Sequence, residues 1–373
     1  MPVSPADGED LAREVGRIYQ DAEAGLLERL ARLLAEGIGL PNWAERKLRA
    51  LGDLRAAVAQ TTEALRRDAD GAIRAAIGEA YRRGDRAAVA DLMLPEGQRA
   101  AALRDLPNAH AVDRLADAAV DEQQPVYRRI LRAVPDAYRQ IVARVSGGVL
   151  LGTQTRRQAA QRALDQLAAR GVPGFTDRAG RSWEMASYAE MAVRAATGRA
   201  AVQGHTDRLR AMGQRLVIVS DAPLECPLCR PWEGKVLTLD EHHPGPQTLT
   251  LPHATRDGET VTVHVAGSLA AARAAGLFHP NCRHSVSAFL PGATTRPQSL
   301  PHPGGATYED TQQQRYYERQ IRAWKRRQAT AMDDDARRAA GARVRAYQAR
   351  VRELTRDKGL RRKPQREQIH SAR

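Results

Sequence analysis

The sequence predicts an α+β chain. A mostly helical N-terminal half precedes a smaller mixed α/β central domain with a CxxC…HxxCxH knuckle, and a basic helix closes the chain. Three observations carry this. Helical spacing dominates up to Gly171, where the composition changes. All three Phe (Phe175, Phe278, Phe289) and two of the four Trp (Trp183, Trp232) fall between 175 and 290, marking the densest core. From Gly305 to Arg373 there are 19 Lys/Arg against 9 Asp/Glu, a net +10 of the chain's +14. The expected domains are 1–171 (helical), 172–292 (mixed core), 293–306 (linker) and 307–373 (basic helical tail).

Taken in order, residues 9–36 place Ile18, Leu26, Leu30, Leu33 and Leu34 on one side of a helix that Gly37 and Gly39 end. Trp43 opens an Ala- and Arg-rich helix toward Arg83. Gly84 is expected to break it and Asp85 to cap a short helix over 87–93. Helices over 97–105 and 109–121 follow, then one from Pro125 that Gly147-Gly148 interrupts. Thr155 reads as the N-cap of a helix over 156–170, which Gly171 closes. Residues 175–183 have hairpin or loop chemistry, and a helix runs from Met185 to about Met212. Leu216-Val217-Ile218-Val219 is a buried strand by its β-branched content. Further strands are expected at 235–239, 260–265 and 286–290, with a surface loop over 240–258. Beyond Tyr308 the chain is helical again, and Pro364 marks the expected end of order.

Several classes are excluded. With 373 residues, 42% apolar and 27% charged, the chain is neither disordered nor too small for a core. Three cysteines exclude a disulfide-built secreted fold, and no run of about 18 apolar residues offers a membrane span. The first residues lack the basic and apolar regions of a signal peptide. There is no Walker loop, dinucleotide fingerprint or nucleophile elbow, so no small-molecule substrate is predicted. The positive charge points to a polyanion such as nucleic acid, because neutralised phosphates release counterions.

The cysteines fall in two short clusters, Cys226-Pro227-Leu228-Cys229 and His279-Pro280-Asn281-Cys282-Arg283-His284. A C-x2-C turn aims two sulfurs at one spot, and H-x2-C at a distance completes tetrahedral S/N spacing. Thiolates with an imidazole suit zinc, and four protein ligands make a closed, structural site. The candidate ligands are Cys226, Cys229 and Cys282 with either His279 or His284; the alternative is three unliganded core thiols. A histidine left over could instead serve a metal-dependent nuclease or toxin-like enzyme, with Asn281, His242, His243 and His253 as further donors. The charged residues Asp177, Arg181, Glu184, Glu190 and Arg194 read as salt-bridged or solvated faces rather than a cleft.

The run Ser220–Val236, with Cys226 and Cys229, resembles the cysteine block of the phage minor capsid (head-morphogenesis) proteins, the Mu F-like and minor capsid protein 2 group. Gly276–His284 resembles the second block, Asp177–Thr197 the segment upstream, and Gln314–Arg322 the closing helix. Ala195 departs from the pattern, which has Thr after the Arg. The resemblance implies a virion protein without enzymatic activity, present in few copies in the capsid interior or at the portal vertex, and in the host cytoplasm during assembly. It implies association with the portal protein and other capsid components during procapsid assembly, with action on DNA during packaging or ejection. The basic tail would then lie against packaged DNA.

Overall fold

The structure is a computed structural model. It describes residues 6–150, 155–176, 182–222, 224–240, 242, 244–279, 282, 284–295 and 302–369. In chain order the elements are α1 (Ala6–Ala35), α2 (Trp43–Arg49), α3 (Leu51–Asp91), α4 (Glu96–Ala102), α5 (Ala109–Asp121), α6 (Gln124–Leu150) and α7 (Arg156–Arg170). Next come β1 (Pro173–Thr176), β2 (Ser182–Glu184), α8 (Met185–Ala211), β3 (Leu216–Val219), β4 (Val236–Thr238), β5 (Gln247–Pro252) and β6 (Thr260–Ser268). The last are α9 (Leu269–Ala274), β7 (Val286–Ala288), α10 (Tyr308–Ala329) and α11 (Asp334–Asp357). The fold is mostly helical with one small mixed sheet, as expected of an α+β chain.

The residues group into two compact units, each built from three stretches of chain. The first takes residues 1–14, 72–121 and 191–302. Its centre is a five-stranded sheet in the order β5-β6-β4-β3-β7, in which β4 and β6 run parallel and the other pairs antiparallel. All four residues of β3 are buried, because successive side chains point to opposite faces and both faces are covered. Val217 and Val219, with Leu237, Val286 and Ala288, pack beneath Ala88, Val202, Leu209, Leu269, Ala272 and Leu277. Leu216 and Ile218 face the other way, onto Val236, Val263, Val265 and Phe289.

Two expectations fail here for one reason. Gly84 does not break a helix, and Asp85 does not cap one: α3 runs unbroken through both. Gly84 lies where α8 crosses; a Cβ on it would sit 1.9 Å from the Ala201 carbonyl oxygen. Gly204 of α8 reciprocates, with a Cβ falling 2.2 Å from the Tyr81 carbonyl oxygen. Asp85 is 3% exposed and accepts a hydrogen bond from Arg208 Nε at 2.6 Å. Tyr81 donates to Asp207 at 2.8 Å, and His205 Nε2 lies 2.9 Å from Asp91. The glycine that punctuates an isolated helix is here the small residue that lets two backbones meet.

The expected surface loop over 240–258 contains β5. Its alternation of half-buried Gln247, Leu249 and Leu251 with exposed Thr248, Thr250 and Pro252 was hidden by the surrounding Pro, Gly and His. α9 was also not anticipated; Ser268 caps it by accepting from Ala271 N–H at 3.0 Å.

The second unit takes residues 15–71, 122–190 and 303–373. Helical stripes bury Leu26, Leu27, Leu30, Leu34, Leu54, Ile130, Val134 and Tyr138. Trp43 Nε1 donates to the Leu34 carbonyl at 3.1 Å, and Tyr19 and Tyr127 share a 2.8 Å hydrogen bond that Tyr127 extends to Asp70. Thr155 is the expected N-cap, and it forms a capping box with Gln158. β1 and β2 form the expected hairpin, its turn with Asp177 and Arg181 lying outside the described residues. The basic tail is two helices, not one. Thr307 and Asp333 cap α10 and α11, which pack through Ile321, Val344 and Val351. Order does not stop at Pro364: Glu367 is 1% exposed and takes hydrogen bonds from Nε and Nη2 of Arg362 and from Gln348.

Arg326 anchors α10. It is 2% exposed and donates to Glu184 at 2.9 Å and to the Ala168 carbonyl at 2.7 Å, with Glu23 3.7 Å away. Glu184 is thus salt-bridged, as the sequence reading held. Glu23 accepts from Val172 N–H at 2.9 Å. Burial raises the Glu23 pKa to about 7 despite the pull of Arg326. Its folded pKa therefore exceeds its unfolded one. The folded state keeps a proton that the unfolded state has lost, so stability falls as pH rises from about 4.5 to about 7. The denaturation midpoint should decline across that window, and Glu23→Gln should flatten the decline. An unchanged slope in Glu23→Gln would remove Glu23 as its source.

Candidate metal centre

β3 and β7 are antiparallel neighbours, with Val219 opposite Val286. The end of one strand therefore meets the start of the other. Ser220 N–H donates to the Ser285 carbonyl at 2.9 Å, and Ser285 N–H to Ser220 Oγ at 3.0 Å. The loop leaving β3 carries Cys226 and Cys229, and the segment entering β7 carries His279, Cys282 and His284. Sheet pairing thus closes a gap of about 50 residues that sequence spacing alone left open.

Each cluster is shaped by its own backbone. Cys229 N–H and Arg230 N–H both donate to the Cys226 carbonyl, at 3.1 and 3.2 Å, closing the C-x2-C turn. Cys282 N–H donates to the His279 carbonyl at 2.9 Å, closing H-x2-C. Leu224 (φ +68°) and Phe278 (φ +62°) hold left-handed backbone immediately before the two clusters. Such conformations cost bulky residues roughly 1–2 kcal/mol each and persist where the surroundings over-determine them.

All five sequence-predicted donors come together. Cys226, Cys229 and His279 offer ligand atoms within 4.8 Å of one another, and so do Cys229, Cys282 and His284. Cys229, fully buried, belongs to both groups. Cys226 Sγ lies 2.8 Å from His279 Nε2, Cys229 Sγ 3.4 Å from Cys282 Sγ, and Cys282 Sγ 3.3 Å from His284 Nδ1. The sulfur–sulfur separation is far beyond a disulfide bond of about 2.05 Å, so the thiols are free.

The electrostatics favour a thiolate at Cys282. Its pKa is lowered, first by the hydrogen bond from Cys229 and then by His284, against burial. Cys229 moves the opposite way, because it gives that hydrogen bond and is buried. Burial lowers the His284 pKa, but hydrogen bonds to Cys282 and Glu233 outweigh it and the net shift is upward. A proton and a metal ion compete for the same nitrogen and sulfur lone pairs, so metal uptake here would release protons. The donor set, sulfur and imidazole with little oxygen, fits zinc and does not fit magnesium or calcium.

Sequence reasoning missed Glu233. Glu233 Oε1 lies 2.5 Å from His284 Nε2, and their side chains are 11% and 2% exposed. Gly234 N–H donates to the Val219 carbonyl at 3.1 Å, which brings Glu233 to the same end of the sheet. The available signal was Glu233's position four residues after Cys229, inside the first block. The other candidate donors do not join. His242 pairs with Asp240 and is 90% exposed, and His253 takes part in neither donor group; His243 and Asn281 lie outside the described residues.

Among the described residues, no helix is long and apolar enough to cross a membrane. No solved structure shows a significant match to the chain. It is 26% identical over 223 residues to a protein named "Structural protein" of Lactococcus phage LL-H, a match covering 58% of this chain and 57% of that protein's length. The family described as phage minor capsid protein 2 matches residues 3–356, both cysteine blocks included. With that match running over nearly its whole length, this chain belongs to the phage minor capsid protein 2 family.

Proposed function

We propose that the chain is a portal-associated assembly protein, without catalytic turnover, whose sheet unit is held by one structural zinc ion. The observation that carries this is the convergence of three thiols and two imidazoles on one end of the β3–β7 pair, in a chain whose family is capsid protein. When bound, zinc would supply a cross-link between two loops distant in sequence, and it would complete the folding of the strained turns before each cluster. A closed four-ligand site leaves no open position for water, which speaks against a metal-dependent nuclease. One carboxylate, already engaged by His284, does not make the oxygen-rich site that phosphoryl transfer with hard cations needs.

We further propose that α11 lies against packaged DNA. From 336 to 352 it carries Arg337, Arg338, Arg343, Arg345, Arg350 and Arg352, all exposed, with no Asp or Glu between them. They lie on two flanks of the helix, and Arg337 and Arg338 pair with Asp334 and Asp335; the other four are free to neutralise phosphates without reading sequence. Arg343 and Arg350, on one flank, also lie over the Trp324 and Tyr347 rings, at 5.8 and 5.1 Å, which orders those two side chains.

The test joins metal content to assembly. Full-length protein purified without chelator should hold one zinc per chain and enter procapsids only when portal protein is present. Cys229→Ser should lose the zinc and enter poorly. A metal-free wild type would remove the zinc from the proposal, and normal incorporation without portal would remove the portal association.

A further inference from the structure

Five donors converge where a tetrahedral ion takes four, and the structure distinguishes between the two histidines. We propose that Cys226, Cys229, Cys282 and His284 are the ligands, and that Glu233 is the positioning residue that orients His284. This rests on the zinc reading above.

Two observations carry it. The first is spacing. Zinc–sulfur bonds of about 2.3 Å and zinc–nitrogen bonds of about 2.0–2.1 Å put neighbouring tetrahedral ligands roughly 3.5–3.8 Å apart. The Cys229–Cys282 separation of 3.4 Å and the Cys282–His284 separation of 3.3 Å are close to such edges. Cys226 and His279, at 2.8 Å, are too close to occupy two corners around one ion, so one of them must give way. The second is orientation. Ligating imidazoles donate their second N–H to a carboxylate or carbonyl, which fixes the ring and makes the ligating nitrogen more basic. Glu233 does this for His284: it holds Nε2 at 2.5 Å and leaves Nδ1 toward Cys282, with both side chains nearly buried. Glu233 Oε1 is itself held by Ala222 N–H at 3.3 Å. His279 is therefore the donor that yields.

The test uses full-length wild type, His279→Ala, His284→Ala and Glu233→Gln. Each is stripped of metal, then reloaded with Zn(II) or Co(II). The readouts are metal per chain, the thiolate–cobalt and tetrahedral d–d absorption bands, and zinc affinity in competition with a chromogenic chelator. Wild type and His279→Ala should each bind one ion with the same cobalt spectrum. His284→Ala should lose or shift the tetrahedral bands. Glu233→Gln should keep one ion and the spectrum but bind zinc roughly 10–100-fold more weakly. Retention of the spectrum in His284→Ala with its loss in His279→Ala would reverse the assignment. Undiminished affinity in Glu233→Gln would remove the positioning role. If His284→Ala does not fold, His279→Ala and Glu233→Gln decide the matter alone. A wild type that binds no metal overturns the zinc reading and this assignment together, whereas a zinc-loaded wild type with the reversed pattern overturns only the assignment.

Discussion

Gly204→Val and Gly84→Val each destabilise the sheet-bearing unit by roughly 3 kcal/mol or more, the upper range for overpacking. A Cβ at position 204 meets the Tyr81 carbonyl oxygen at 2.2 Å, and one at 84 meets the Ala201 carbonyl oxygen at 1.9 Å. Both obstacles are helix backbone, which cannot swing aside as a side-chain end can. The helices must part locally, which loosens Ala88 and Val202 over the sheet. It also strains the buried Arg208–Asp85 pair and the Tyr81–Asp207 hydrogen bond. Propensity pulls the other way, since alanine in place of helical glycine gains about 1 kcal/mol. The alanine variants are therefore the sharper test. If packing governs, Gly204→Ala lowers the melting temperature; if propensity governs, it raises it. A melting temperature that rises for both alanine variants would refute the close crossing.

Arg326→Leu costs the second unit about 3–5 kcal/mol, the range for removing one partner of a buried ion pair. The loss is not of one attraction. Glu23 and Glu184 remain buried with their shared cation gone, and the Ala168 carbonyl loses its donor. Two further measurements separate this from lost packing. Glu184→Gln combined with Arg326→Leu should recover part of the stability, because one uncompensated charge is removed with it. The deficit should also shrink in mild acid, where the stranded carboxyls take up protons. A deficit that neither the second substitution nor acid reduces would mean that Arg326 acts through its volume.

Local chemistry was legible in the sequence. The all-apolar β3 declared a strand covered on both faces, Thr155 declared a helix start, and two cysteine clusters at ligand spacing declared one meeting place. Each signal is written within a few neighbouring residues, where periodicity and hydrogen-bond chemistry act directly. The boundary between α10 and α11 was not read, although Asp333 caps the second helix, because charge dominates the composition there and obscures the break. β5 was missed because six alternating residues carry less weight than the Pro and Gly around them.

The sequence by itself thus determined the α+β class, the basic end, and which residue types could bind a soft metal. Only the tertiary structure decided what Gly84 and Asp85 are for, because a glycine's role depends on what lies 2 Å beyond its absent side chain. It alone brought Glu233 to His284 across 51 positions of chain. The physical reason is common to both: close packing and buried charge are set by neighbours that the chain supplies from far away, and no local pattern records which neighbours those will be.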